Sequence, residues 1–298
     1  MKHGFFLMRS VRLLCAALVF CLCLPLGVSC AWGRTETVYL NTSIYVYNDQ
    51  NRLLEAKLYT YNEYGQILSV ETDTRRNLYT YDEQGNQLTE RIETVQGGTV
   101  IAVSEIRRSY DENGNAVTEE RYSVQGETET LLGSTRSEYD ASGRLIRTEG
   151  TDTVTVYEYG EFDSYTATET LLRDGTVVSK VSVVKNADGN ILSRRAEQLL
   201  DLTVEEYEAT YREDGLIATV TNRVDGIELD SYRYEYEEID GTIRLTRTVT
   251  LRNGIETELM LYRYDEHGNR THANLCTPAG VAKRTYIYNF EEMKIKLY

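Results

Sequence analysis

Histidine is scarce in this chain: three residues in 298, and only His267 and His272 lie beyond the first 29 positions. Chemistry that draws on several imidazoles is therefore nearly excluded. Positive charge is also in deficit, with 32 Lys and Arg against 47 Asp and Glu. The first 29 residues hold Lys2, Arg9 and Arg12 and no acid, so loss of those three charges takes the formal net charge from −15 to −18. Phosphate affinity needs clustered Lys and Arg, so nucleic acid is excluded as a partner and anionic lipid is a poor one. Of the five cysteines, Cys15, Cys21 and Cys23 fall in the N-terminal segment, Cys30 at its edge, and Cys276 alone in the body. That leaves no disulfide framework, and stability must come from strand pairing and packing.

Long apolar runs are limited to one, Leu13 to Val28, broken by Pro25 and Gly27. It is shorter than the roughly 20 residues a spanning helix needs. Preceded by Lys and Arg, it reads as a secretory signal over 1–29, outside the fold. Its end, Leu26-Gly27-Val28-Ser29-Cys30, is similar to the lipobox of bacterial lipoproteins, with Gly27 where Leu is usual. The resemblance implies lipidation of Cys30 and a membrane anchor of two or more acyl chains, enough for stable binding. Ser29 and Ala31 also satisfy ordinary signal cleavage after Ala31, which would give a secreted chain. Both readings stand. The expected organisation is a signal over 1–29, a short anchor segment over 30–38 and a single β array over 39–298.

The body of the chain repeats. Tyr59-Thr60-Tyr61-Asn62-Glu63-Tyr64-Gly65-Gln66 is echoed by Tyr79-Thr80-Tyr81-Asp82-Glu83-Gln84-Gly85-Asn86, then from Tyr110, Tyr139 and Tyr262. Weaker copies start at Tyr45, Lys185, Tyr211 and Tyr234. The physics of the unit is a hairpin. Two Tyr at i and i+2 share one face of a strand. Asp82, Asp111, Asp140 or Asp265 then accepts a backbone hydrogen bond and starts a turn. Gly85, Gly114, Gly143 or Gly268 supplies the left-handed conformation that closes a bulged loop. Asp174-Gly175, Asp225-Gly226 and Asn253-Gly254 return the chain between units.

Alternation in the strands predicts one apolar, Tyr-bearing face and one of Thr, Arg and Glu. Over 243–264, a two-residue turn at Asn253-Gly254 predicts Leu251 opposite Glu256, Leu245 opposite Tyr262 and Ile243 opposite Tyr264, with Val249 on the Tyr face. The expected fold is all-β: a curled antiparallel β-meander of about twenty short strands, since an open sheet that wide would not stay flat. The last strand, with Met293, Ile295 and Leu297 on one side and Lys294 and Lys296 on the other, is expected to be a protected edge.

The Tyr-Asp-x-x-Gly-Asn/Arg unit, recurring at 20 to 29 residues, resembles the YD (RHS) repeat from about Tyr45 to Asn289. The resemblance implies a curled β shell at or outside the cell surface, enclosing a toxin or presenting an adhesive, in some members carbohydrate-binding, surface. Only ten residues follow Tyr288, so a toxin cargo is not expected, and about ten units are expected to be too few to close a large container. A second, weaker resemblance is to MORN-like repeats, over Tyr211 to Ile227.

Four groups are candidate sites. The pairs Tyr59/Tyr61, Tyr79/Tyr81, Tyr234/Tyr236 and Tyr262/Tyr264 would form an aromatic ladder able to stack on sugar rings, or to serve as core packing. The Asp111-Glu112-Asn113-Gly114-Asn115 turn offers oxygen ligands, but turn chemistry explains every residue and no metal or cofactor is expected. Ser182-Val183-Val184-Lys185 has Ser-x-x-Lys spacing without companion motifs, and His267 and His272 have no evident partners, so no catalytic role is expected. Cys276, near Pro278-Ala279-Gly280, reads as structural. The function expected is a non-enzymatic envelope scaffold that binds a glycan or an envelope protein. Alternatives are an accessory or remnant of a YD-type toxin system and, least favoured, an enzyme acting on envelope polymers.

Overall fold

The structure, a computed structural model, describes residues 35–297; the signal segment, Cys30 and Ala31 lie outside the described residues. Twenty strands follow one another. They are β1 (Thr35–Asn48), β2 (Leu53–Tyr61), β3 (Ile67–Glu71), β4 (Arg75–Tyr81), β5 (Gln87–Gln96), β6 (Thr99–Tyr110) and β7 (Ala116–Gln125). Next come β8 (Thr128–Tyr139), β9 (Leu145–Glu149), β10 (Thr153–Tyr159), β11 (Tyr165–Leu171), β12 (Val177–Lys185), β13 (Ile191–Gln198) and β14 (Thr203–Tyr211). The last are β15 (Ile217–Val224), β16 (Ile227–Ile239), β17 (Thr242–Arg252), β18 (Ile255–Tyr264), β19 (Arg270–Cys276) and β20 (Ala282–Lys296). A single 3-10 turn at Glu161–Asp163 is the one helical element among the described residues.

Each strand pairs antiparallel with the next, and β20 pairs with β1 from Thr35↔Lys296 to Asn48↔Arg284. The sheet is therefore a closed up-and-down barrel. Two expectations are corrected here. The C-terminal strand is not an edge: Lys294 and Lys296 pair with Thr37 and Thr35, and the Lys296 ammonium also meets Glu63 at 2.7 Å. Nor are the units too few to close, because β1 and β20, the two longest strands, zip together and leave no free edge. The array also begins at Thr35, inside the stretch assigned to the anchor.

Alternating direction sorts the connections onto two rims. The lower rim carries the turns at 62–66, 82–86, 111–115, 140–144, 186–190, 212–216 and 265–269, beside Thr35 and Lys296. The upper rim carries the short returns, including 96–99, 125–128, 225–227 and 252–255, and the weak copy at 48–52.

The Asp-x-x-Gly turn is fully accounted for by its hydrogen bonds. The Asp111 Oδ1 accepts the backbone N–H groups of Asn113 and Asn115 at 2.9 and 2.8 Å, and Oδ2 accepts the Asn115 side-chain amide at 2.9 Å. Gly114 N–H donates to the Asp111 carbonyl at 3.1 Å, with φ +82° at the glycine. The same set recurs at Asp82 and Asp265, with Arg144 replacing the amide at Asp140. Hydrogen bonds from the Asn115 side chain, and then from the backbone N–H groups, hold the Asp111 carboxyl below its ordinary range.

Just before these turns the register slips by one residue, at Tyr61, Tyr81, Tyr110, Tyr139, Tyr211 and Tyr264, and it slips again within β16 at Tyr236. These bulges, and another at Thr250/Leu251, correct the expected pairing over 243–264. Leu251 does face Glu256, but Thr248 faces Met260 and Tyr234, and its hydroxyl lies 3.3 Å from that of Tyr262. Leu245 pairs with Tyr236 instead. Directly paired residues share a face. Val249, Leu259, Leu261 and Cys276 thus pack on the face of Arg247 and Glu235, away from the tyrosines.

Twenty strands about 4.8 Å apart and tilted by roughly 40° enclose a circumference on the order of 125 Å. The described hydrogen bonds, ion pairs and ring contacts join strands no more than two places apart round the ring. Only eleven hydrophobic side chains among the described residues are buried. The stabilising contacts run along the wall.

Candidate functional site

The structure places all eight ladder tyrosines on one face, half-buried, and gives the two members of each pair different work. The second Tyr is a staple. The Tyr81 hydroxyl donates to the Ile67 carbonyl at 2.7 Å, Tyr236 to Ile217 at 3.0 Å and Tyr264 to Leu245 at 2.8 Å. Tyr110, Tyr139, Tyr159 and Tyr211 do the same to the first residue of a strand one hairpin earlier, and Tyr61 reaches the Asn41 carbonyl. These eight hydroxyls tie their strands to the preceding hairpin at the lower rim, and the hairpin that follows Lys185 has no such tie among the described hydrogen bonds. Sequence reasoning missed this role. Its signal is present, since every one of these positions is Tyr and none is Phe, and only the phenol oxygen can donate.

The first Tyr of each pair has a freer hydroxyl. Tyr79 accepts a hydrogen bond from the Asn77 amide at 3.2 Å, and that amide also donates to Glu90. Burial raises the Tyr79 pKa, with the Asn77 bond working against it. Burial, then neighbouring tyrosines, pushes Tyr61 up to about 12 and Tyr234 further. Tyr61, Tyr79 and Tyr234, all raised, stay neutral at physiological pH. Tyr207, Tyr234, Tyr262, Tyr288, Tyr59 and Tyr79 feel one another through this chain of neighbours, so the ladder runs across the β1–β20 seam.

One stretch of the ladder opens into a concavity. Between the 62–66 and 82–86 turns lies a groove lined by Asn62, Tyr64, Gln66, Leu68, Tyr79, Thr80, Tyr81, Asp82 and Glu83. Both turns frame it, and the Gln66 side-chain amide ties them by donating to the Gly85 carbonyl at 2.9 Å. It combines aromatic rings with amides and carboxylates, the surface types that stack on and hydrogen-bond polyhydroxylated rings. Tyr59 and Tyr61 lie on the adjacent hairpin, and the 234/236 and 262/264 pairs lie elsewhere on the ring.

The remaining candidates are accounted for locally. Ser182 and Lys185 are three apart on β12, so their side chains point to opposite faces. Cys276 is buried against Val249 and Leu259, and burial raises its thiol pKa. His272 sits in β19 between Arg263 and Ile287. His267 has a partner the sequence did not suggest: its ring stacks on Tyr39 of β1, centroids 4.4 Å apart. The carboxylate oxygens of Asp111 are already occupied by the donors described above.

Both faces of the wall carry charge. Arg91 pairs across from Glu105 on one face and Arg108 from Glu119 on the other, the latter at 3.1 Å. Two strands, β3 and β9, have five residues each.

No protein-family model and no curated protein matches the chain. Among solved structures it is similar to the TcdB2-TccC3 complex without its hypervariable C-terminal region, at 17% identity and TM-score 0.35. That alignment covers 81% of this chain and 18% of the other, so the chain spans less than a fifth of its length. It is also similar to a porin-like protein from Bacteroides uniformis, at 15% identity and TM-score 0.33, covering 84% and 96% of the two chains. A porin-like protein from Bacteroides vulgatus gives 11% identity and TM-score 0.37, covering 84% and 98%.

Proposed function

We propose that this chain is an exported, non-enzymatic binding scaffold of the cell envelope, held on a membrane through lipid on Cys30, and that the groove between its first two lower-rim turns takes a carbohydrate. The groove carries the reading: Tyr64, Tyr79 and Tyr81 supply aromatic surface, and Glu83 supplies a carboxylate beside it. The rest of the barrel is a rigid mount, with its turns saturated and its hairpins stapled. Export is supported by the charged and apolar leader.

The test is a glycan array probed with residues 31–298. Twenty strands that pair only with one another make this segment a self-contained barrel. Binding to one glycan class is expected, reduced tenfold or more by Tyr79→Ala and unchanged by Tyr262→Ala. A blank array, or equal loss in both variants, sinks the groove as the site. Location has its own test: Cys30→Ser should move the protein from the membrane to the soluble fraction, and retention of the variant on membranes refutes the anchor.

A further inference from the structure

Five tyrosine rings among the described residues already lie under a guanidinium. Arg144, Arg212, Arg244 and Arg270 stand over Tyr159, Tyr236, Tyr264 and Tyr262, with the guanidinium carbon 4.2–5.3 Å from the ring centroid. Arg107 covers Tyr122 in the same way. The electron-rich face of the ring attracts the cation. Arg144 and Arg212 belong to lower-rim turns, 140–144 and 212–216. The groove between the 62–66 and 82–86 turns is built differently. Gln66 stands at the place in its turn that Arg144 holds in 140–144, and it gives its amide to the Gly85 carbonyl. Neither of the two turns contains a Lys or Arg. The Lys296 ammonium beside the first of them is held by Glu63. Arg75, whose charge is felt at the Tyr79 phenol, donates from Nε to the Asn77 side-chain oxygen at 2.8 Å. No cation among the described residues stands over the Tyr79 ring.

Carboxylates are there instead. Asp82 is occupied by its own turn, but the Glu83 side chain is exposed on the groove lining and makes no ion pair or hydrogen bond among the described residues. Glu90, paired with Tyr79 across the ladder, accepts the Asn77 amide at 3.0 Å and meets no cation among the described residues. An uncovered tyrosine face beside an unpaired carboxylate is the chemistry of an ammonium site. We infer that the groove selects a glycan bearing a free amine, its ammonium held by the Tyr79 ring and the Glu83 carboxylate. This rests on the carbohydrate reading of the groove and names the charge of its ligand. Aromatic rings stack on any sugar, so they do not choose. The carboxylates do: an acetamido sugar offers Glu83 no charge, and an acidic sugar meets repulsion from Glu83, Glu90 and Asp82. The formal net charge of −15 draws a cationic ligand toward the chain as a whole.

The test is an array that presents each glycan in free-amine and N-acetylated form, chitosan and chitin hexamers among them, probed with residues 31–298. The best-bound pair is then titrated by calorimetry. The amine form is expected to bind about tenfold more tightly than its N-acetylated partner. That advantage should shrink several-fold between about 50 mM and about 500 mM NaCl, as salt screens the charge pair. Glu83→Gln should abolish the preference with an unchanged circular dichroism spectrum, because Ala141 fills the same turn position in 140–144. Glu112→Gln, at that position one turn further round, should bind like the parent. N-acetylated or acidic glycans bound as tightly as the amine forms, with loss in Tyr79→Ala, overturn the inference and leave the groove a sugar site. A preference that survives Glu83→Gln, or falls equally in Glu112→Gln, overturns it too. A blank array removes the carbohydrate reading and this inference together.

Discussion

The barrel is one continuous ring, yet only one of its two arcs adds buried apolar packing to its cross-strand ion pairs. From β11 to β19 small and branched side chains pack into the wall: Ala167, Val183, Ala196, Ala209, Val220, Val249, Leu259, Ala273 and Cys276 are all buried. From β2 to β10 no hydrophobic side chain among the described residues is buried, and the buried positions are Ser69 and Glu93. Whereas the β11–β19 arc has both, as Arg233 and Arg247 share Glu235 and Glu256 there, this arc has its ion pairs without such packing. Arg76 and Arg91 share Glu93, Arg91 and Arg107 share Glu105, and Arg107 crosses the Tyr122 ring, its carbon 4.4 Å from the centroid, to reach Glu129 at 2.6 Å. The same hairpin, repeated, is thus compatible with either kind of lateral support. The turn and the staple set the geometry, and the strand middle is free to be greasy or ionic.

The sharpest way to break this comparison is to open a cavity in the apolar arc. Leu259→Ala removes a side chain packed against Val249 and Cys276 and should cost about 2–5 kcal/mol. Leu78→Ala, at a half-buried position of the ionic arc, should cost below about 1 kcal/mol, since positions outside a packed core are felt little. Urea unfolding of both variants checks it, and equal losses would mean the arcs are not different.

Next in size are the turn glycines. Gly268→Val meets both a left-handed backbone, at φ +85°, and the Arg244 guanidinium, which lies where the new Cβ would be. Arg244 donates to the Gly268 carbonyl at 2.9 Å and covers the Tyr264 ring, so displacing it undoes two contacts. Gly114→Val, in the ionic arc, meets the backbone cost alone, about 1–2 kcal/mol, because its nearest neighbour is at an ordinary 3.5 Å. Thermal melts should rank Gly268→Val below Gly114→Val, and both below a Thr→Val change in mid-strand.

A smaller effect tests the ionic arc directly. Glu93→Ala strands Arg76 and Arg91, which are themselves about 40% exposed, so the loss should be only about 1 kcal/mol after screening by solvent. The difference from the parent should shrink in roughly 1 M salt, where exposed ion pairs contribute least; Leu259→Ala should show no such dependence. A Glu93 effect that salt leaves untouched would point to packing.

Smallest is the acid response of the turns. Asp111 and Asp140 have carboxyls held below their ordinary range by hydrogen bonds from the turn and from Asn115 or Arg144. A depressed folded pKa gives stability that is present above the unfolded value near 3.9 and is lost as pH falls through the folded value. Asp111→Asn should keep the turn, as Asn62 does naturally by accepting the Tyr64 and Gln66 N–H groups, and should flatten the melting temperature against pH between about 5 and 2. An unchanged acid slope would remove these carboxylates from the account.

These outcomes bear on what the sequence discloses. The turns and the strand count were legible because each Asp-x-x-Gly satisfies its hydrogen bonds within five residues. The bulges were not, because the extra residue, Thr246 against Glu235-Tyr236 for example, has no signature of its own and merely inverts the alternation beyond it. Closure was hidden for a different reason: Thr35 and Lys296 are at opposite ends of the chain, and nothing local in β20 distinguishes a seam from an edge. The eight ladder tyrosines were found, but their division into staples and freer rings depends on carbonyls one hairpin away. The groove depends on two turns that only the strand order brings side by side.

The seam between β1 and β20 also decides how the barrel answers to mechanical pull. Thr35 and Lys296 are direct neighbours, and the ladder between the two strands starts there. Tension applied between the two ends of the chain would part the ladder one rung at a time, like a zip, at low force. Tension between Thr35 and a point on the upper rim would load the rungs of β1 on both flanks together, in shear, and meet much greater resistance. A molecule tethered by its N-terminus and gripped at the far rim is thus pulled along its strong direction.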